Sequence, residues 1–346
     1  LQALAIANGF GWAWVVLGDA RGAQRLLTAL TAGGEDAAPR DRATALLLAA
    51  WIEASSGHLE PARRHIEEAS ALADDPRCAY YLAYVVSHHG DWEHGLELTD
   101  RARVLLEEPW DLAANALFAA RAAISAGDAA RAAAARDEVE HWLRIIDDPW
   151  LHVRRDAMLG ELARLEHRFG DAVEHIGRAA ETSGRLGFLQ TEAYQLTSLG
   201  RAQCQAGGYQ AGAATLARGI AKAEATGDVR LAALGRVHLG RVLRALDRLD
   251  EARAALERAA AFHREAGGGE QQALGDTLLA ALDGDTDRLE ALLETARRDG
   301  DAPVEVFALD ALGRYDEADD RMAVASHFIT ERDRADARRR TPPGQR

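Results

Sequence analysis

LGRAQCQAGGYQAGAATLARGIAKAEATGDV, residues 199–229, is the stretch on which the reading of this chain turns. Two Ala-rich runs flank a Gly207-Gly208 turn, and the small residues Gly200, Gly212 and Gly227 have counterparts forty residues to either side. Gly160 and Gly240 match the first, Ala172 and Ala252 the second, Gly187 and Gly267 the third. Leu159, Leu199 and Leu239 precede the first series. Three small-residue series sharing one period mark a repeated helical unit, and stacked units present extended surfaces rather than enclosed clefts.

Composition agrees. The chain has 346 residues, 48% of them apolar, 6% aromatic, and 8 prolines. Ala favours helices and lets them approach closely, and β-branched residues are sparse. The expected fold class is all-α, a right-handed superhelical solenoid of about nine helix-turn-helix repeats. The length exceeds what one globular core normally covers, which suits a stack. A net charge of −14 repels phosphate at long range and argues against direct nucleic-acid contact. Cys78 and Cys204 lie far apart without metal or redox spacing. No apolar run reaches membrane-spanning length, so no membrane partner and a cytoplasmic location are expected. The chain begins at Leu1 in helical register, as an excised fragment would.

Outward from the regular stretch, the small residue opening each second helix reads Ala23, Ala62, Gly95, Ala132, Ala172, Gly212 and Ala252. Large apolar residues follow four positions on (Leu27, Ile66, Ile176, Leu216, Leu256), then Leu30, Ala69, Ala179 and Ala259 three further. That i, i+4, i+7 pattern is one helix face. Gly18, Gly57, Gly90 and Gly127 mark turns within units, and Pro76, Pro109, Pro149 and Pro303 mark starts of units. Residues 1–330 therefore read as one repeat domain. Irregular repeats occupy 1–150, regular forty-residue repeats 151–270, and short capping repeats 271–330; a charged, disordered tail is expected over 331–346.

Small residues at both packing positions, with Gly207-Gly208-Tyr209 or Gly313-Arg314-Tyr315 before the second helix, resemble tetratricopeptide repeats. The segments Gly9–Leu30 (GFGWAWVVLGDARGAQRLLTAL) and Glu317–Arg339 resemble the ends of the repeat region in bacterial transcriptional regulators of the AfsR/SARP type. That resemblance implies a winged-helix DNA-binding domain, a bacterial transcriptional activation domain and an NB-ARC ATPase elsewhere in the polypeptide. No phosphate-binding glycine loop and no helix-turn-helix candidate occurs here.

In such stacks the first helix of each unit lines the concave groove. The residue after each small position there gives a column: Trp12, Trp51, Tyr84, Arg121, Glu161, Arg201 and Arg241, with Arg164 and Arg244 one turn on. Tyr80 shares a helix face with Tyr84. Aromatic groups would bury an apolar anchor, and guanidiniums would pair with carboxylate or phosphate. The plainer alternative is that the arginines pair with neighbouring Asp and Glu and that the tryptophans, all seven of which precede residue 151, fill the core. His88, His89 and His94 match no metal signature. Asp74-Asp75 and Asp147-Asp148 are better read as helix stops than as acid/base pairs.

The expected role is a non-enzymatic interaction or sensor module of a multidomain transcriptional regulator. It would need no cofactor and would bind a peptide, protein or small-molecule ligand in the groove, with the NB-ARC ATPase of the same polypeptide as a further partner. The rival is a self-standing adaptor scaffold for protein–protein interaction.

Overall fold

The structure, a computed structural model, describes residues 2–19, 21–32, 36–88, 91–266 and 271–325. These residues form eighteen helices and no strand: nine helix pairs, as the periodicity predicts. The tail, His89, Gly90 and Gly267 lie outside the described residues.

The helices divide between two compact units. The first comprises residues 1–166, 174–195 and 226–228; the second comprises 167–173, 196–225 and 229–346. In the first, α1 (Gln2–Leu17), α3 (Pro39–Ser55), α5 (Arg77–His88), α7 (Pro109–Ser125) and α9 (Pro149–Leu165) pack side by side as one layer. Between them in sequence, α2 (Arg21–Thr31), α4 (Leu59–Leu72), α6 (Trp92–Leu105) and α8 (Ala129–Leu143) each pack against both chain neighbours as a second layer. The second unit repeats the arrangement with α12 (Tyr209–Ala225), α13 (Val229–Ala245), α14 (Leu249–Ala266), α15 (Gln272–Asp283), α16 (Thr286–Asp299), α17 (Ala302–Ala311) and α18 (Tyr315–Ala325). Residues of α10 (Phe169–Leu186) and α11 (Leu189–Gln205) are shared between the units.

The small-residue series is where paired helices touch. A Cβ on Gly200 would fall 2.6 Å from Leu216 Cγ, and one on Gly240 2.5 Å from Leu256 Cγ. A Cβ on Gly160 would overlap Ile176. A Cβ on Gly212 would fall 2.8 Å from Gly200 O, so there the two backbones close on one large aliphatic side chain. In the first pair the register differs from the expectation. Leu26 is fully buried while Leu27 is half-buried, because Gly22 sits beneath Trp14 and Ile52 and takes the close contact.

Turn chemistry sets the helix ends. Gly57, Gly127, Gly207 and Gly227 adopt φ of 88°, 74°, 89° and 76°. His167 and Asp247 take the same left-handed turn at φ 58° and 65°, forty residues either side of Gly207. Asp128 and Asp148 cap the next helices, accepting from Arg131 N–H at 2.9 Å and Leu151 N–H at 2.8 Å.

Close approach makes a testable contrast. Gly240→Ala should cost ~1–3 kcal/mol through overpacking against Leu256. Gly170→Ala, helical, exposed and with open space at its Cβ, should gain about 0.5–1 kcal/mol from helix propensity. Urea unfolding of both variants checks the pair, and equal effects would contradict the packing argument.

Candidate functional site

The layer of odd-numbered helices in the first unit carries a continuous file of aromatic rings. Trp12 on α1 meets Trp51 on α3 edge-on, with centroids 5.5 Å apart. Trp51 stacks on Tyr84 of α5 at 5.5 Å and touches Tyr81, Phe118 and Trp150. Trp12 also meets Trp110 of α7 at 4.8 Å and Trp150 of α9 at 5.1 Å. Most of these pairs are edge-to-face, the arrangement the ring quadrupole favours. Trp51 and Trp150 are each 6% exposed, whereas Trp12, Tyr84 and Trp110 are half-buried. The rings thus pack mainly on one another, and the half-buried ones form an edge open to solvent.

Local sequence places these rings. Trp12, Trp51, Tyr84 and Arg121 each follow a buried small residue, Gly11, Ala50, Ala83 and Ala120; Gly11 lies against Leu48 of α3, where a Cβ would fall 2.5 Å from Leu48 Cδ1. Trp110 and Trp150 instead follow Pro109 and Pro149, which open α7 and α9. The Pro-Trp pairs stand forty residues apart, and their rings stack at 5.8 Å.

Two arginines border the file. Arg121 lies over Tyr84, Cζ 5.6 Å from the ring centroid. Arg154 lies over Trp150 at 5.7 Å. Arg154 is absent from the column read from sequence, although Trp150 and Arg154 share a helix face at i, i+4 spacing. Burial and the like charge of Arg121 both lower the pKa of Arg154. The other groups acting on it are the phenols of Tyr84 and Tyr194.

The remaining candidates lie elsewhere. Tyr80 is fully buried, and its hydroxyl donates to Asp111 at 2.8 Å. Arg164 is 5% exposed and pairs with Glu161. Arg201, Arg241 and Arg244 belong to the second unit, where Arg241 and Arg244 are buried and Arg201 half-buried. All three interact with neighbouring groups. Asp75 accepts from Arg77, which also reaches Thr44 at 2.9 Å, fastening α5 to α3. Cys78 is buried, and desolvation pushes its thiol up to about 11, which suppresses thiolate chemistry. His94 pairs with the cap residue Asp91. Among the described residues no cluster of His, Cys, Asp or Glu could hold a metal ion. No described helix is long and apolar enough to cross a membrane.

No family model and no curated protein matches the sequence. Solved structures do match the fold. One is a Rap protein complexed with Competence and Sporulation Factor, at TM-score 0.69 and 11% identity, covering 98% of this chain and 96% of that one. Aspartyl phosphate phosphatase F of Bacillus subtilis aligns at TM-score 0.59 and 10% identity, over 96% and 95% of the two chains. A signal transduction ATPase with a tetratricopeptide repeat sensor, from Pyrococcus horikoshii, aligns at TM-score 0.54 and 15% identity over 88% of this chain and 52% of that one. The chain has an all-α helical-repeat fold of the tetratricopeptide type.

Asp111 offers a test of the buried network around Tyr80. Burial raises its carboxyl pKa, and the Tyr80 hydrogen bond only partly offsets this. The folded chain therefore holds this proton more tightly than the unfolded chain, so the charged carboxylate opposes folding at neutral pH. That penalty fades as pH falls toward the ordinary carboxylate range. Asp111→Asn keeps an acceptor for Tyr80 and should raise Tm at pH 7, with the gain gone by about pH 4. A lower Tm at pH 7 would contradict this reading.

Proposed function

We propose that the chain is a non-enzymatic binding module whose odd-helix face, in the first unit, holds a peptide or a peptide-like part of a protein or small ligand. The aromatic file bordered by arginines carries the proposal. Half-buried Trp12, Tyr84 and Trp110 offer rigid apolar surface, and Arg121 sets a charge beside it. Trp, Tyr and Arg are the residue types on which binding energy concentrates. A tetratricopeptide-type fold suits the role, since its stacked helices expose one continuous face.

The regulatory setting is part of the same proposal. Its basis is the likeness of the two end segments to AfsR/SARP-type regulators and, at the level of fold, the match of this chain to 52% of a signal transduction ATPase that carries a tetratricopeptide repeat sensor. In this reading ligand occupancy alters how the repeats engage an ATPase domain of the same polypeptide. A repeat whose units touch only their neighbours can convert local occupancy into a shift between conformers.

Peptide display against the full chain tests the binding function. Selected peptides should lose about tenfold or more in affinity on Arg121→Gln, equivalent to roughly 1.4 kcal/mol or more. They should be unaffected by Arg131→Gln, which removes an exposed arginine of α8 paired with Asp100. Equal sensitivity to both substitutions, or no selectable peptide, would contradict the assignment.

A further inference from the structure

The outer face of α1 is apolar and exposed. Ile6, Phe10 and Leu17 are 55%, 59% and 46% exposed. With exposed Ala3 and Gly9 and half-buried Ala13 they share one side of the helix. The buried residues Leu4, Ala7, Gly11 and Val15 occupy the opposite side. None of the sixteen residues of α1 is charged. Phe10 stacks on Trp14 at 6.4 Å, and Arg25 of α2 lies over Trp14 at 5.4 Å. An aromatic, uncharged centre with arginine at its margin matches the make-up of a protein interface.

The shape of this face separates it from a surface built to continue the stack. Leu48 and Ile52 of α3 are the large side chains by which the second hairpin grips the first, Leu48 lying against Gly11 and Ile52 against Gly22. Trp51 follows Trp12 by thirty-nine residues, and the same offset puts Gly9 and Ala13 of α1 where α3 has Leu48 and Ile52. In place of that grip α1 offers a hole beside a knob: a Cβ on Gly9 would meet nothing within 4 Å, and Phe10 stands next to it. Such a face complements itself. When two copies of α1 pack antiparallel about a two-fold axis, Phe10 of one falls on Gly9 of the other, Ile6 on Ala13, and Trp14 on Ala5, large against small each time.

Charge selects the same occupant. At a net charge of −14, two copies of the chain repel one another at long range. Residues 1–31 hold only Asp19, Arg21 and Arg25 as charged groups, so this hairpin is where a second copy meets little opposing charge. Area sets the strength. A helix of this length spans about 24 Å and is about 10 Å wide, so its face falls short of the roughly 800 Å² per partner of a standard stable interface.

The geometry points to a weak, reversible two-fold dimer in which the exposed faces of α1 from two copies of this chain pack antiparallel, Phe10 of each seated against Gly9 of the other. This is independent of the ligand-binding role proposed above.

Sedimentation equilibrium of the 346-residue chain tests it. The chain should show a monomer–dimer equilibrium in the micromolar range that tightens as NaCl rises from about 50 to about 500 mM, because salt screens the net repulsion. Phe10→Asp should weaken the dimer by about a hundredfold, since a symmetric interface loses each contact twice. Gly9→Leu, which fills the hole without adding charge, should weaken it by about tenfold or more. Both positions are exposed, so neither substitution should lower Tm appreciably. Val104→Asp, at an exposed aliphatic residue of α6, should leave association unchanged. A chain that stays monomeric to about 100 µM overturns the proposal and leaves the face to an occupant of another kind. Equal weakening by Val104→Asp and Phe10→Asp, unchanged association of Gly9→Leu, or assembly that grows past the dimer overturns the two-fold pairing of α1. Association that weakens with added salt overturns it as well.

Discussion

Each helix can lie against its partner only where neither backbone carries much side chain, and everything else in this molecule follows from that constraint. Gly160 against Ile176 in one unit, and Gly200 against Leu216 and Gly240 against Leu256 in the other, are the same contact made three times. Close backbones bring one aliphatic residue into full contact on all sides, where dispersion and burial are largest. They also fix rotation about the helix axis.

In the first unit the residues that follow buried small residues, Trp12, Trp51, Tyr84 and Arg121, form one connected file. The rings stabilise the unit by burying one another, which explains why Trp51 and Trp150 are nearly enclosed. The same rings would supply the apolar wall of the proposed binding face where Trp12, Tyr84 and Trp110 reach solvent. Core filling and the proposed ligand recognition, which the sequence poses as alternatives, would be two ends of one aromatic cluster. The arginines at its border lie over rings, and that leaves Arg154 without a carboxylate among the described residues.

Periodicity made the helix pairs legible, because Gly and Ala at a fixed spacing report a backbone contact that admits nothing larger. The turns were legible where Gly supplies the left-handed conformation, and less so at His167 and Asp247, which adopt it without the usual residue. In the first pair the register was misread by one position, since Gly22 and Ala23 are both small and only Trp14 above them decides which one meets the neighbour. Trp110 and Trp150 were seen as members of a Trp-rich half, but their pairing depends on α7 and α9 lying side by side. Arg154 escaped notice for a related reason. It stands half a helix away from the column positions, and its significance comes from Arg121 and Trp150 together rather than from its own spacing. Tyr80, beside Tyr84 in sequence, is directed inward to Asp111, a distinction that burial alone reveals.

Fluorine NMR of the chain labelled with fluorotryptophan tests the central claim most directly, namely that the odd-helix layer of the first unit gathers tryptophans from α1, α3, α7 and α9 into one nest. Replacing Trp12 by Phe should remove one resonance and shift those of Trp51, Trp110 and Trp150, because its ring lies 4.8–5.5 Å from theirs. Trp92 and Trp142, on the even helices α6 and α8, should stay in place. A spectrum in which Trp51, Trp110 and Trp150 do not respond to the loss of Trp12 would contradict the account.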